Sequence, residues 1–232
     1  MTGDRLSRTI LFDLYGTLVP GGSRLQRDAL SFQMAAILAV DPDAFAAIVR
    51  ETFDARVRGT LGDLPATIGE LAQRVGGSPS SRQVARAAQC RLAFTRGLLQ
   101  NRHSASNLTV LKRQGHQLGV ITDCSAETPL SWPTSWLPAV VDAVSFSCEL
   151  GVRKPDPEMY LAVTRRLNVP PEECLFIGDG GSNELDGARA LGMSAKRLLD
   201  PSLRDSERLE GESDWSGTII TSLAELVHDS AP

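Results

Sequence analysis

The sequence predicts an α/β fold, in which a Rossmann-like parallel sheet carries an inserted bundle of helices. Short apolar runs alternate with helical patterns at 9–18 and again from about 104 to 228. Between these zones, 20–103 shows helical patterns and no convincing strand. Alternating strands and helices form parallel sheets covered on both faces. We therefore expect an α/β core domain of residues 1–19 and 104–232 and a helical domain of residues 20–103.

The strands of the core are predicted from their apolar runs. These runs are TILFDLYGTL (9–18), LGVITD (118–123), DAVSFS (142–147), CLFIGD (174–179) and SAKRLL (194–199). Helical patterns between them predict helices at 105–114, 156–168 and 182–191. GTIITSLAEL (217–226) predicts a further strand and a closing helix, and the polar stretch at 200–217 predicts a mobile loop.

The helical domain is predicted from four runs with helical periodicity. These runs lie near 23–40, 43–58, 64–76 and 80–99. Asp41-Pro42 and Ser78-Pro79 each fit an N-cap followed by proline in the first turn. Inserted after the first strand, such a bundle is expected to lie over the strand ends as a lid.

Composition limits the classes of function. The chain has 232 residues and a net charge of −4, which gives no general field that attracts nucleic acid or an anionic membrane. Its four cysteines form no C-x-x-C pair, and we expect reduced thiols. The N-terminus has no long apolar run, and no segment reaches the roughly 18 apolar residues of a membrane helix. We expect a soluble cytoplasmic protein, whose oligomeric state the sequence leaves open.

Polar side chains follow the predicted strands at one edge of the sheet. Asp13, Thr122 with Asp123, and Asp179 lie at strand ends, and Lys154 lies in GVRKPDP just after the third strand. Ligands of open parallel sheets bind outside these carboxyl ends. The residues therefore predict one convergent polar site, although each aspartate taken alone could simply cap the following helix.

Four of these segments, in order, resemble the motifs of the haloacid dehalogenase-like hydrolase superfamily. They are DLYGT, the Thr122 hydroxyl, the lysine of RKPDP, and GDGGSNELDGA. The helical insert resembles the superfamily's C1-type cap. The GDGG run lacks the G-x-G-x-x-G pattern and does not follow the first strand, which argues against dinucleotide binding.

The resemblance implies a nucleophilic role for Asp13, whose carboxylate would form a covalent intermediate. Thr122 would hydrogen-bond the transferring group, and Lys154 would neutralise developing charge. Asp123 departs from the asparagine that is common after Thr122, and it would also line the substrate site. Tyr160, six residues after Lys154, has a spacing seen in dehalogenases but is more typical of a core residue.

The resemblance also implies a Mg²⁺ site. The ligands would be Asp13, Asp179 and the backbone carbonyl of Tyr15, an oxygen-only set that suits this ion. Glu184 would act from outside the first coordination shell or through a water. Alternatively, Glu184 caps the helix that begins near Ser182.

Tyr15 stands where the phosphatases of the superfamily carry a second aspartate as general acid and base. A phenol with a pKa near 10 is a poor base at neutral pH. The D-x-Y-G-T form instead resembles the 2-haloacid dehalogenases, which need no metal and carry serine at the position of Asp179.

Three functions therefore stay open. The preferred one is Mg²⁺-dependent hydrolysis of a small phosphomonoester. The alternatives are metal-independent hydrolysis of a carbon–halogen bond in a 2-haloacid, and binding of a phosphorylated ligand without turnover. The partner is expected to be a small molecule rather than nucleic acid or membrane. Within the insert, ARVRGTLGD (55–63) is the expected substrate-facing turn, with Arg56 and Arg58 as candidate substrate ligands.

Overall fold

A six-stranded parallel sheet forms the centre of the molecule in the computed structural model, which describes residues 9–203 and 215–229. The spatial order of the strands is β3-β2-β1-β4-β5-β6. The strands are β1 (Thr9–Phe12), β2 (Gln117–Thr122), β3 (Ala143–Phe146), β4 (Cys174–Gly178), β5 (Ser194–Leu198) and β6 (Ile219–Ile220). The predicted α/β class with a parallel sheet is confirmed.

The first strand is shorter than predicted. It ends at Phe12, and the chain turns at Gly16, which has a φ of +91°. The backbone N–H of Asp13 still donates to the carbonyl of Ile177 (2.9 Å), so Asp13 leaves the sheet beside the end of β4. The strand order reverses between β1 and β4, which is the point where open α/β sheets bind ligands.

Five α-helices lie in residues 20–103, the segment that follows β1 and its turn. They are α1 (Arg24–Leu38), α2 (Pro42–Glu51), α3 (Phe53–Val57), α4 (Leu64–Arg74) and α5 (Ser81–Leu99). We call residues 20–103 the helical insert. Its apolar side chains form a core of their own, which includes Met34, Phe45, Ile68 and Ala87.

Two details of the insert differ from prediction. The run at 43–58 breaks at Thr52, where ψ is 12° and the hydroxyl donates to the carbonyl of Ile48 (2.6 Å). The last helix begins after Ser80 and not after Ser78-Pro79. Ser80 and Gln83 form a reciprocal capping box, which satisfies backbone donors that a proline turn would leave unpaired.

Six further α-helices of the described ranges lie outside the insert, and together with the sheet we call them the sheet domain. They are α6 (Ala105–Arg113), α7 (Glu127–Ser131), α8 (Ser147–Leu150), α9 (Pro157–Leu167), α10 (Glu184–Ala190) and α11 (Ala224–Asp229). Ile10 and Phe12 of β1 pack in one core cluster with residues of α6 and α11, whereas Leu11 packs in another with residues of α9 and α10. This period of two places helices on both faces of the sheet.

Two close contacts fix the position of the insert: one joins the residues that flank its two ends, and the other joins the insert to α8. The Ser104 hydroxyl donates to the carbonyl of Leu18 (2.8 Å), and both residues are fully buried. A side chain at Gly59 would place its Cβ 2.2 Å from the carbonyl oxygen of Cys148, so this approach requires glycine.

Some predictions are only partly covered. Residues 204–214 of the predicted polar loop lie outside the described residues. Across the two described ranges, none of the helices combines the length and the apolar character that membrane crossing demands.

Candidate active site

A cavity of about 940 Å³ opens where the strand ends face the helical insert. Asp13, Asp123, Lys154 and Asp179 line it from the sheet domain, and residues of α1, α2, α3 and α5 line it from the insert. The predicted strand-end residues therefore meet in one place, with the exception of Thr122.

Lys154 lies between two buried carboxylates. Its Nζ contacts Oδ1 of Asp13 and Oε2 of Glu184, and the three residues are only 3%, 6% and 1% exposed, respectively. The Thr17 hydroxyl donates to the other oxygen of Asp13 (3.1 Å). Burial acts to lower the pKa of Lys154, but Asp13 and Glu184 outweigh it and raise that pKa well above its ordinary value. The ammonium group therefore stays charged and fixes the orientation of the Asp13 carboxylate.

Asp123 positions the loop that carries this lysine. Its Oδ1 accepts a hydrogen bond from the backbone N–H of Lys154 (2.9 Å), and its Oδ2 lies 3.6 Å from Nε of Arg153. Asp156 then caps α9, with Pro157 at the first helical position. Asp123 thus positions Lys154 through a hydrogen bond to its backbone.

The fourth motif gathers two more carboxylates. Asp179 Oδ1 accepts from the N–H of Gly181 (2.9 Å), and Glu184 Oε1 accepts from the N–H of Gly180 (3.0 Å). A Cβ at position 178 would lie 2.0 Å from Oε1 of Glu184, so Gly178 makes room for this carboxylate. The predicted alternative, in which Glu184 caps a helix from Ser182, does not describe the geometry, because α10 begins at Glu184 itself.

The carboxylates form a set that fits a hard divalent cation. One oxygen each from Asp13, Asp179 and Glu184 lies within 4.8 Å of the others. Burial raises the pKa of Glu184 well above its ordinary value, and the neighbouring carboxylate of Asp13 adds to this, although Lys154 acts to lower it. Lys154 contacts both Asp13 and Glu184, but Glu184 is the most deeply buried of the three carboxylates, so Asp13 and Asp179 are the more accessible direct ligands.

Tyr15 lines the cavity, but its hydroxyl is engaged. The phenolic oxygen lies 3.0 Å from the hydroxyl oxygen of Thr128. Burial raises the pKa of Tyr15 well above its ordinary value of 10.0. The phenol therefore stays neutral and does not act as a base at neutral pH.

Thr122 lies at the end of β2 and is fully buried. It is not among the residues that line the cavity, and its Oγ1 has no hydrogen-bond partner in residues 9–203 and 215–229. The Thr122 hydroxyl can therefore still donate a hydrogen bond, next to Asp123 in the chain. Because a buried hydroxyl without a partner costs free energy, a ligand atom that accepted this bond would be stabilised.

The two arginines of the predicted substrate turn, Arg56 and Arg58, lie in different environments. Arg56 is buried and lines the cavity, whereas Arg58 is half-buried, does not line it and pairs with Asp54 (2.9 Å). The structure thus corrects the expectation for Arg58. Arg56 and Arg58 are two residues apart, about half a turn of helix, so they face opposite ways, and Arg58 instead forms an i, i+4 pair with Asp54.

Sequence reasoning missed an ion pair in this cavity. Arg91 of α5 lies 2.8 Å from Glu127 of α7, and both side chains are mostly buried. Arg91 reads as a solvated helix residue because the periodicity of α5 does not show which helix covers it. Tyr160 belongs to the core, as expected, with its hydroxyl donating to the carbonyl of Glu184 (2.7 Å).

Comparison with known proteins places this geometry among hydrolases. Residues 7–192 match the family model described as haloacid dehalogenase-like hydrolase. A glyceraldehyde 3-phosphate phosphatase of Methanopyrus kandleri is 26% identical over 209 residues, which are 86% of this chain and 87% of that protein.

Solved structures share the fold. The L-2-haloacid dehalogenase of Xanthobacter autotrophicus, with chloropropionic acid covalently bound, has a TM-score of 0.64 at 18% identity over 96% of this chain and 98% of that one. An enzyme of the same family from Bacteroides thetaiotaomicron, in complex with magnesium and inorganic phosphate, has a TM-score of 0.59 at 19% identity over 87% and 98%.

Proposed function

Because the chain belongs to the haloacid dehalogenase-like hydrolases, we propose that it hydrolyses small phosphomonoesters through an aspartyl-phosphate on Asp13, with Mg²⁺ as cofactor. The observation that carries the proposal is the acidic cluster of Asp13, Asp179 and Glu184 around the single ammonium group of Lys154. An attack on a neutral alkyl halide needs no such excess of negative charge. The similarity of this chain to the phosphatase of Methanopyrus kandleri supports the same reaction class.

In the first step, an oxygen of Asp13 attacks phosphorus and the bond to the ester oxygen breaks, so that the alcohol leaves with a proton taken from solvent water. Lys154 holds the carboxylate in place and offsets the charge that develops on the phosphoryl group. Thr122, whose hydroxyl has no other hydrogen-bond partner in the described chain, would donate to a phosphoryl oxygen. Water then attacks the phosphorus of the aspartyl-phosphate, which releases phosphate and restores Asp13.

Asp13, Asp179 and the backbone carbonyl of Tyr15 would hold Mg²⁺, with Glu184 acting through a water. When bound, the ion supplies positive charge that lets a carboxylate and a phosphate approach each other. Residues 20–103 would serve as the cap domain over a core of residues 1–19 and 104–232. The four free cysteines support a reducing, cytoplasmic location.

Tyr15 favours a second candidate, the metal-independent hydrolysis of a 2-haloacid. Halide leaves without a proton, so this reaction needs no general acid beside Asp13. Release of chloride from 2-chloropropionate in the presence of EDTA would support it, and absence of release would exclude it.

The first test of the proposed function is Mg²⁺ binding by calorimetry, with wild type compared with Asp179→Asn, followed by p-nitrophenyl phosphate turnover on the same samples. We expect Mg²⁺ binding and Mg²⁺-dependent phosphate release in wild type and loss of both in the variant. A wild type that binds Mg²⁺ but hydrolyses no phosphomonoester would instead indicate a binding protein.

A further inference from the structure

The cavity has two walls of opposite charge. The strand-end side carries the carboxylates around Lys154. On the side formed by the insert and α7, five arginines face two acidic residues, Asp28 and Glu127. The arginines are Arg24, Arg27, Arg50, Arg56 and Arg91. A single phosphate at Asp13 uses the first wall and gives no reason for the second.

Arg56 is the most deeply buried of these five arginines. It is 9% exposed, and two of its nitrogens donate to neutral oxygens: Nη1 to Oγ of Ser125 (2.9 Å) and Nη2 to the carbonyl of Val49 (2.8 Å). Its Nε is buried without a hydrogen-bond partner, and within the described ranges no carboxylate forms an ion pair with it. A buried cation left in this state is costly unless an anion completes it.

Glu127, whose negative charge acts on Arg56, is already engaged by another arginine. Its Oε1 accepts a hydrogen bond from Nε of Arg91 (2.9 Å) and lies 2.8 Å from Nη2 of the same side chain. Burial, together with Arg91, lowers the pKa of Arg56 to about 10, so the guanidinium still carries its charge at neutral pH. One carboxylate therefore serves two buried guanidinium groups, and one positive charge is left over.

The hydrogen bond from Arg56 also ties this charge to the reacting end of the cavity. Its acceptor, Ser125, follows Thr122 and Asp123 in the loop after β2. The guanidinium is thus held by the loop that follows Thr122, the predicted phosphate ligand. Arg56 itself lies on the opposite wall of the cavity.

We propose that Arg56 receives a second oxyanion of the substrate, a carboxylate or a second phosphate, and that the enzyme prefers phosphomonoesters with two anionic groups. The inference rests on the proposed phosphatase function, since it assigns the first anion to Asp13. A cavity of about 940 Å³ has room for such an elongated substrate. Arg56 acts here as a specificity residue, because the second anion keeps its bonds throughout the reaction.

Calorimetry with non-hydrolysable probes tests this independently of turnover. Phosphonoalkanoates of three to six carbons, which carry a carboxylate, are compared in Mg²⁺ with alkylphosphonates of equal length, which end in a methyl group. In wild type we expect at least one chain length to bind about 30-fold or more tightly with the carboxylate. The preference should disappear in Arg56→Met, persist in part in Arg56→Lys, and stay unchanged in Arg58→Met.

The outcomes separate the two proposals. Equal affinity of both series at every length would overturn the role of Arg56 while leaving the phosphatase proposal intact. Absence of binding by both series, together with no turnover of p-nitrophenyl phosphate, would overturn the proposed function itself. Because the comparison of probes is made in wild type, a poorly folded Arg56→Met cannot decide the result.

Discussion

The phenolic oxygen of Tyr15 lies 3.0 Å from the hydroxyl oxygen of Thr128. This contact occupies the position where the phosphatases that the chain resembles carry an acid–base aspartate. A neutral phenol, already hydrogen-bonded, can neither protonate a leaving alcohol efficiently nor activate water. The rate of the proposed reaction should therefore depend strongly on how well the leaving group departs unaided.

Tyr15→Asp should restore the missing acid and base. We expect turnover of alkyl phosphates to rise by about 10²–10⁴-fold, with a much smaller gain for p-nitrophenyl phosphate, whose leaving group needs no proton. Steady-state kinetics on both esters measures the difference. The control is Tyr15→Phe, which should stay within a few-fold of wild type. A large loss in this control would mean that the phenol takes part in catalysis after all.

Lys154→Met should impair both activity and stability. It leaves the buried carboxylates of Asp13 and Glu184 without their cation, which costs about 3–5 kcal/mol in the free energy of unfolding. Urea unfolding measures this cost. Lys112→Met, which breaks the half-exposed pair with Asp142, is the matched control and should cost less than about 1 kcal/mol. Equal losses of unfolding free energy in the two variants would contradict the claim that Lys154 stabilises the buried carboxylates.

Asp123 should tolerate asparagine but not alanine. The asparagine oxygen can still accept the hydrogen bond from the N–H of Lys154, so Asp123→Asn should change the unfolding free energy by less than about 1 kcal/mol. Asp123→Ala leaves that N–H unpaired and should cost about 1–3 kcal/mol. Chemical denaturation of both variants checks the order, and an equal loss in the two would show that charge, not the acceptor, matters.

The Arg91–Glu127 pair should make stability depend on pH. Burial acts to raise the pKa of Glu127, but Arg91 and Arg56 outweigh it and hold that pKa below its ordinary value. The stabilisation is therefore fully present above the unfolded pKa of about 4.3 and is lost as the pH falls through the lower folded value. Urea unfolding at pH 6 and pH 3.5 should show Glu127→Gln less stable than wild type at the higher pH, with the gap narrowing at the lower. A gap that is constant with pH would rule this linkage out.

The fold could be predicted because apolar runs mark strands directly, and strand ends in a parallel sheet share one edge. This is why Asp13, Lys154 and Asp179 could be named together from the sequence. Arg91 and Glu127 could not, since their pairing depends on how α5 packs against α7, a helix of five residues with no periodic signal of its own. The sequence also could not show that Arg56 lines the cavity and Arg58 does not, because spacing alone does not tell which side of a short helix faces inward.

The buried hydrogen bond from Ser104 to Leu18 has a consequence for motion. It fastens the exit of the helical insert to its entrance, so both ends of the insert meet the sheet domain at one point. An insert attached in this way would rotate about its base only by breaking its other contacts, such as the close approach of Gly59 to α8 and the hydrogen bond from Arg56 to Ser125. Because displacement grows with distance from the point of rotation, a small rotation at Leu18 and Ser104 would move the five arginines of the cavity wall much further than the residues next to Leu18.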